Sequence, residues 1–383
     1  MQFKSKTDFI TVTLSRQVCM MAKQYDDAIN FTLGDPDLST PKPICDAAYK
    51  AILEGKTHYA PNAGIPELRQ AICHYEGKRK GVNYAADQSV VTIGAVSAIY
   101  LSLMALINPG DEVIIIPPYW SQYKNMTLLL EGTPIILNKL DDNLNPDLDE
   151  LEAQITTKTK AIIINNPNNP SGHVYPEAVL KTIAEIAVRH GLYVLADEVY
   201  DALVYDKPFV TMASFCPSSN LLLFNSCSKS FAMTGWRVGY MLGPMDFIKS
   251  VIKLQQNLVA SVPTMTQYAA LEAITNAETY VPTVVNVFEK RRKVLIENLR
   301  KIESLKFNDP EGTFYAFIDI SKTGLKSKDF TFGLLEKEHV AVVPGIAYGE
   351  CFDMYVRLAF TQNEEVIIKG INRINSYLEG VLS

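Results

Sequence analysis

The sequence of 383 residues has little of several features that mark particular classes of protein. It has no apolar run that approaches the roughly 20 residues needed to cross a bilayer. It also has no run of basic residues, and its net charge is −6, which argues against binding to nucleic acid. We therefore expect neither a membrane nor a nucleic acid among its partners.

Cysteine and histidine are sparse as well. The six cysteines are scattered without a Cys-X-X-Cys motif, and the five histidines show no spacing typical of metal ligands. This pattern predicts no structural metal and no disulfide framework. It favours reduced thiols, and hence a cytoplasmic location.

The sequence does contain a regular alternation of short apolar runs with longer amphipathic ones. The short runs are rich in Ile and Val and lack polar alternation, as is typical of strands buried on both faces. They predict strands at 89–93, 112–116, 134–137, 161–164, 193–196, 221–224 and 238–242. Helical patterns at 98–107 and 176–190 both end at stop signals that contain glycine. This order predicts a large α/β domain with a mostly parallel sheet over residues 40–282.

The chain beyond that domain follows another pattern. A long helix is predicted at about 282–302, with Pro282 in its first turn, where proline is tolerated. Strands at 313–320, 339–343 and 355–360 and a closing helix at 364–378 follow. We expect residues 283–383, joined by residues 1–39, to form a smaller α+β domain, and the cleft between two such domains is a common place for a ligand.

The most informative motif is the segment 226–239, which reads Ser-Cys-Ser-Lys-Ser-Phe-Ala-Met-Thr-Gly-Trp-Arg-Val-Gly. Lys229 follows a predicted buried strand, where desolvation lowers the pKa of an amine and leaves it able to form a Schiff base. Ser226 and Arg237 could hold a phosphate dianion close by. Together these groups suit pyridoxal 5′-phosphate (PLP), which needs an imine partner and a phosphate cup. Taken alone, Lys229 could equally be a solvated lysine in a Ser-rich loop.

A second motif, Ala196-Asp197-Glu198-Val199-Tyr200, places a carboxylate at the carboxyl end of a predicted strand. Ligands of open α/β sheets bind at that edge. A carboxylate there can pair with a protonated pyridine nitrogen, and Tyr200 follows closely enough to reach the phenolic oxygen of the ring. The alternative is that Asp197 is a helix N-cap, which is a common role for aspartate.

Three further patterns fit the same ligand. Asn169, in a turn rich in Asn and Pro at 165–172, could aim its amide at a phenolic oxygen and at a substrate carboxylate, although such a cluster also makes an ordinary turn. The segment Gly94-Ala95-Val96 joins a predicted strand to a helix, and its backbone N–H groups could bind an anion. Arg357 lies in an apolar strand and needs a partner, for which a substrate carboxylate is a good candidate.

With these motifs in this order, the chain resembles the fold-type I, class I/II PLP-dependent aminotransferases, of the aspartate, aromatic and kynurenine aminotransferase type, from about Leu14 to its C-terminus. The resemblance implies that Lys229 is the Schiff-base lysine and proton shuttle. It implies that Asp197 pairs with the pyridine nitrogen, and that Tyr200 and Asn169 bond the phenolic oxygen. It also implies that Arg357 binds the substrate α-carboxylate.

The resemblance assigns further residues to the site. It implies that Trp120 stacks on the cofactor ring and that Gly34 offers a backbone contact to the substrate carboxylate. Tyr59 matches a tyrosine that reaches the phosphate of the neighbouring subunit, which implies a homodimer with composite active sites. The phosphate cup is implied for Gly94, Ala95, Val96, Ser226, Ser228 and Arg237.

The implied function is transfer of the amino group of an L-amino acid to a 2-oxo acid, with 2-oxoglutarate as the expected acceptor. A β- or γ-lyase such as a C–S lyase on the same scaffold is the alternative, because fold alone does not decide the reaction. One residue departs from the pattern. Many bacterial aspartate-specific relatives have a lysine at the position of Val96 that grips the distal carboxylate, and valine cannot do so.

Overall fold

A computed structural model describes residue 10 and residues 12–382 of the chain, so part of the segment 1–39 lies outside the described residues. The strands are β1 (Ile29–Asn30), β2 (Ser89–Thr92), β3 (Glu112–Ile115), β4 (Thr133–Ile136), β5 (Thr159–Asn165), β6 (Tyr193–Asp197), β7 (Leu221–Ser226), β8 (Gly239–Leu242), β9 (Lys306–Phe307), β10 (Tyr315–Asp319), β11 (Val340–Ala341), β12 (Val343–Pro344) and β13 (Tyr355–Ala359). The helices are α1 (Leu14–Ala22), α2 (Lys42–Leu53), α3 (Pro66–Lys80), α4 (Gly94–Leu106), α5 (Gln122–Leu129), α6 (Leu148–Ala153), α7 (Glu177–Arg189), α8 (Cys227–Ser230), α9 (Met245–Leu258), α10 (Thr264–Thr275), α11 (Ala277–Leu299), α12 (Ser327–Glu338) and α13 (Glu364–Leu382).

The large sheet has seven strands in the order β2-β8-β7-β6-β5-β3-β4. Strand β8 runs antiparallel to both of its neighbours, and every other neighbouring pair is parallel. All seven predicted strands are present, with ends that differ by no more than two residues. Both faces of the sheet are covered by apolar side chains, which is why its strands read as continuous Ile, Val and Leu runs.

The long helix α11 begins earlier than the sequence predicts. It starts at Ala277, so Pro282 lies inside the helix and not in its first turn, which corrects that prediction. An interior proline forfeits one backbone hydrogen bond, here the bond to the Glu278 carbonyl. Before the proline, Ala277 and Tyr280 pack in the core of the large sheet, and after it Val284 and Phe288 pack in the core of the second sheet, so packing favours helix on both sides.

The second sheet has four antiparallel strands in the order β12-β13-β10-β9. The strand predicted at 339–343 is divided in the structure. Strand β11 pairs in parallel with β1, whereas β12 pairs with β13 in the four-stranded sheet. His339 caps α12 with a φ of 54°, and Val342 makes the passage between the two sheets. The residues from Val340 to Val343 are all buried, so the hydropathy pattern contains no sign of the break.

The apolar side chains form separate cores for the two sheets. One set packs on the two faces of the large sheet, and another is built from β1, α11, α13 and the four-stranded sheet. No helix among the described residues is long and apolar enough to cross a membrane.

Candidate active site

The carboxyl ends of several parallel strands meet at one edge of the large sheet, as expected for an open α/β sheet. There they form a cleft of about 280 Å³, closed on its other side by residues of the second sheet. Thirteen of the fourteen predicted site residues line it, namely Gly34, Gly94, Ala95, Val96, Trp120, Asn169, Asp197, Tyr200, Ser226, Ser228, Lys229, Arg237 and Arg357. The exception is Tyr59, which is 92% exposed and lies elsewhere on the surface.

Lys229 lies on the short helix α8, directly after β7, and points its amine into the cleft. Its Nζ atom donates a hydrogen bond to the carbonyl of Gly34. Loss of water around the amine, together with the positive charges of Arg237 and Arg357, lowers the pKa of Lys229 to about 8. An appreciable fraction of the amine is therefore neutral close to neutral pH and available as a nucleophile or base. The solvated-loop interpretation does not fit this placement.

Asp197 ends β6 and is buried. Its Oδ2 atom accepts a hydrogen bond of 2.5 Å from the Tyr123 hydroxyl, and its Oδ1 atom accepts one of 3.3 Å from the Val199 amide. Burial raises the pKa of Asp197 to about 6. The residues that follow form a turn and no helix, so the N-cap interpretation is not what the structure shows. A buried carboxylate in this setting suits a cationic nitrogen of a ligand.

A cradle for an anion lies where α4 and β7 approach each other. Gly94 and Ala95 open α4, and the Ser226 and Ser228 hydroxyl oxygens lie 2.7 Å apart. Arg237 completes the cradle from a left-handed backbone position with a φ of 57°. A Cβ atom on Gly94 would lie 2.6 Å from the Arg237 guanidinium, so only glycine leaves this space free. The N–H groups, hydroxyls and guanidinium match a phosphate dianion.

Arg357 enters the cleft from β13 and is only 4% exposed. Its Nη1 atom donates to Asn169 Oδ1 at 3.0 Å, and its Nη2 atom donates to the Thr32 carbonyl. Its guanidinium lies 4.3 Å from the centre of the Tyr315 ring, and its Nε–H group has no partner. Within the described part of the chain, no carboxylate pairs with this buried cation. An anionic ligand would supply the missing partner.

Three residues that shape the cleft were not predicted. Tyr123 holds Asp197, and Tyr315 holds Tyr200 through a hydroxyl–hydroxyl contact of 3.1 Å. A Cβ atom on Gly34 would lie 1.6 Å from the Tyr315 hydroxyl, which explains the glycine. The carbonyl of Thr32 orients Arg357. Of the three, only Tyr123 could have been found from the sequence, because it lies about one helical turn after Trp120, which was already predicted to be in the site.

Further residues complete the lining of the cleft. Trp120 packs edge-on against Tyr123, with ring centres 5.4 Å apart, and Val96 is 41% exposed at the cleft. Ser15 and Leu33 also face this space. Among the described residues, no group of three or more His, Cys, Asp or Glu side chains could hold a metal ion.

Comparison with known proteins matches this chain to one family. The profile of the family described as aminotransferase class I and II matches residues 26–374. An aspartate aminotransferase of Pyrococcus horikoshii is 39% identical over 369 residues, covering 95% of this chain and 94% of that protein. A probable aspartate/prephenate aminotransferase of Aquifex aeolicus is 40% identical, covering 97% and 96%. The solved structure of the Thermus thermophilus aspartate aminotransferase with maleate superposes with a TM-score of 0.94 at 34% identity, covering 98% of this chain and 100% of that one.

Proposed function

The chain belongs to the class I and II aminotransferases, which makes it a PLP-dependent enzyme that moves an amino group between an amino acid and a 2-oxo acid, and from this premise we propose which residues do each part of that work. One observation carries the proposal. Four charged side chains, those of Asp197, Lys229, Arg237 and Arg357, converge on one cleft. Within the described residues, none of them forms an ion pair with a protein group of opposite charge. The lyase alternative is not favoured, because the named relatives are aminotransferases.

The cleft fits PLP group by group. The cradle of Gly94, Ala95, Ser226, Ser228 and Arg237 would hold the phosphate, with the Val96 backbone beside it. Asp197 would hold the pyridine nitrogen, and Trp120 would stack on the ring. Tyr200 and Asn169 would bond the phenolic oxygen. When bound, PLP supplies the carbonyl carbon on which amines exchange and an electron sink for the substrate α-carbon.

The chain's own residues then bind, orient and move protons. Arg357, held by Asn169 and Thr32, would bind the substrate α-carboxylate through its two-pronged donor face, with a backbone contact from Gly34. The Nζ atom of Lys229 would take the proton from the substrate α-carbon, and its lowered pKa suits a base that works near neutral pH. Asp197 would keep a proton on the ring nitrogen, since its carboxylate stabilises the cation.

We propose that the donor is an amino acid with an uncharged side chain. The four charges of the cleft would all be used by the cofactor and the α-carboxylate, and the rest of the described lining, which includes Ser15, Leu33 and Trp120, offers no further cation. Burying the short distal carboxylate of aspartate there without a partner would be unfavourable. The proposed acceptor, 2-oxoglutarate, is one methylene longer, so its distal carboxylate would reach toward solvent beside the exposed Val96.

A second candidate is an aspartate donor. The names of the relatives from Pyrococcus horikoshii and Aquifex aeolicus favour it. It would require a cation from outside the described residues of one chain, such as one from a neighbouring subunit. This requirement makes the two candidates experimentally distinct.

We also propose a homodimer with composite sites, two domains and a cytoplasmic location. Support for the dimer comes from exposed aromatic and aliphatic residues on and after α2, where Tyr49, Leu53 and Tyr59 are 63%, 69% and 92% exposed. Support for domains at 40–282 and at 1–39 with 283–383 comes from the separate cores of the two sheets. Support for the cytoplasm comes from six cysteines that are all free.

The test is a spectral screen of the purified PLP-loaded enzyme with single amino acids. Conversion of the lysine-bound cofactor band to the pyridoxamine band reports the donor half-reaction without any acceptor. We expect amino acids with uncharged side chains to convert the enzyme at least about ten times faster than aspartate, the effect of roughly 1.4 kcal/mol. Fastest conversion by aspartate would overturn the donor proposal, and no conversion by any amino acid would overturn the site assignment.

Two matched variants sharpen the screen. Val96→Lys adds a cation at the cleft and should raise the relative rate with aspartate. Val96→Met has a similar length without charge and should not. Equal behaviour of both variants would show that the missing charge at this position does not set the preference.

A further inference from the structure

A buried cluster of charged and polar side chains lies behind the site and does not line the cleft. We call it the Lys80 cluster, and it consists of Glu76, Lys80, Glu198, Asp201 and Asn225. The charged side chains of these residues are all 1% exposed or less. Charges so fully removed from water are costly unless they are paired. Surface electrostatics therefore does not explain why these charges are present.

Lys80, the last residue of α3, is the centre of the cluster. Its Nζ atom lies 2.8 Å from a carboxylate oxygen of each of three acids, Glu76, Glu198 and Asp201. Arg79 contacts Asp201 as well, at 3.0 Å. Among the described residues, Lys80 is the cation that pairs with Glu76 and Glu198. Without it, both carboxylates would be buried without a cation, with hydrogen bonds as their remaining contacts.

Two of the three acids of the cluster are adjacent in the chain to residues of the cleft. Glu198 directly follows Asp197, and Asp201 directly follows Tyr200. Each acid side chain faces Lys80 while its neighbour faces the cleft. The position of Lys80 is therefore linked through one peptide unit to each of two proposed cofactor contacts.

Asn225 extends the same link to the phosphate side of the cleft. Its Nδ2 atom donates to Asp201 at 2.8 Å and to Glu76 at 3.2 Å. Its Oδ1 atom accepts a hydrogen bond of 2.7 Å from the backbone amide of Ser226, which opens the segment that carries Lys229. The ends of β6 and β7 are thus tied to each other and to α3 by the same few side chains.

We propose that Lys80 is a positioning residue for the cofactor site: it holds the ends of β6 and β7 in the geometry that lets Asp197, Tyr200 and Ser226 reach one ligand. This inference rests on the proposed roles of those three residues. A buried ion cluster is weak evidence for added stability, because apolar packing of similar volume often does as well. A geometric role, in which the pairs select one arrangement of two strand ends, accounts for the charges better.

The experiment compares Lys80→Met with Lys78→Met. Lys78 lies on the same helix but is 63% exposed and pairs with Glu278 on the surface, so it is a matched control. We would measure hydrogen–deuterium exchange of the cofactor-free protein at segments 197–203 and 224–231. Lys80→Met should speed exchange in both segments and weaken PLP binding by about tenfold or more, while Lys78→Met should do neither.

The outcomes separate positioning from plain stability. If Lys80→Met lowers the melting temperature but leaves exchange in both segments and the dissociation constant of PLP unchanged, the proposal is wrong. A loss of activity with unchanged exchange would count against this inference but not against the function itself.

A second variant covers the case in which Lys80→Met does not fold. Asn225→Ala removes no charge. It removes the bond to the Ser226 amide together with the two bonds to Asp201 and Glu76, and it leaves the ion pairs of Lys80 in place. It should weaken PLP binding and raise exchange more at 224–231, which loses the bond to the Ser226 amide, than at 197–203, where the ion pairs of Lys80 with Glu198 and Asp201 remain. Unchanged PLP affinity in this variant would also overturn the proposal.

Discussion

Replacement of Arg357 by lysine tests the carboxylate site most directly. The guanidinium spends one N–H group on Asn169 and one on the Thr32 carbonyl, which leaves its Nε–H group without a partner. A guanidinium can bind a carboxylate with two parallel hydrogen bonds, whereas an ammonium binds it as a point charge. Arg357→Lys therefore keeps the positive charge and removes the fork.

The expected size of the effect follows from one lost hydrogen bond to a charged group. Such a bond contributes about 1.5–3 kcal/mol, which corresponds to roughly 10- to 150-fold in affinity. Because the α-carboxylate is common to both substrates, amino acids and 2-oxo acids should weaken by a similar factor. Primary amines without a carboxylate should be unaffected relative to the wild type.

The assay measures the concentration dependence of each half-reaction separately. Arg291→Lys is the matched control, because Arg291 is 5% exposed and binds Asp37 with two hydrogen bonds of 2.7 and 3.0 Å. It should lower the melting temperature with little change in substrate affinity. Unchanged affinity for both substrate classes in Arg357→Lys, or weakening of only one class, would refute the carboxylate role.

Four other outcomes follow from the site. Lys229→Ala should abolish transamination and the absorbance of lysine-bound cofactor, and turnover near the wild-type rate after dialysis against PLP would contradict the assignment. Asp197→Ala should lower the single-turnover rate by several orders of magnitude with the fold intact, whereas a loss of only about 0.5–2 kcal/mol of stability would indicate a mere cap. A mixed dimer of Tyr59→Phe and Lys229→Ala chains should keep about half of the wild-type activity, because two-fold symmetry leaves one site intact; activity at the Tyr59→Phe level would contradict shared sites. In the cofactor-free protein, the folded pKa of Lys229 near 8 lies below its unfolded value of 10.5, so at this group the unfolded chain binds more protons between those two values. Lys229 should therefore add a contribution to stability that rises with pH across this window, measured as the difference between the melts of the wild type and of Lys229→Ala.

The strands of the large sheet could be predicted because their burial produces a recognisable hydropathy pattern in the sequence. Strands such as β5 and β6 are covered on both faces, so they read as unbroken apolar runs, and polar residues such as Asp197 appear where those runs stop. The carboxyl edge of a parallel sheet brings those stops together. For this reason residues at the ends of these strands, such as Asp197 and Ser226, could be named in advance.

The contacts between the two sheets could not be predicted in the same way. Tyr315 lies on β10 and touches Tyr200 and Gly34, which are distant in the sequence. No periodicity marks such a pair. The division of the 339–343 run failed for a related reason, since Val340 and Val343 are equally buried but pair in different sheets. The local sequence indicates that a residue is buried, but it does not indicate which distant strand or side chain the residue packs against.

The departures from ordinary packing rules in this chain coincide with its site. Asp197 and Arg357 are both buried without an ion-pair partner among the described residues, although buried charges are normally paired. Burial raises the pKa of Asp197 and lowers that of Lys229, so the charged form of each group is less favourable in the cleft than in water. A fold that only had to be stable would place apolar or paired residues there. A ligand with one anionic phosphate, one cationic ring nitrogen and one carbonyl, joined by a substrate with one carboxylate, would satisfy every one of these groups, and it would stabilise the protein as it does so.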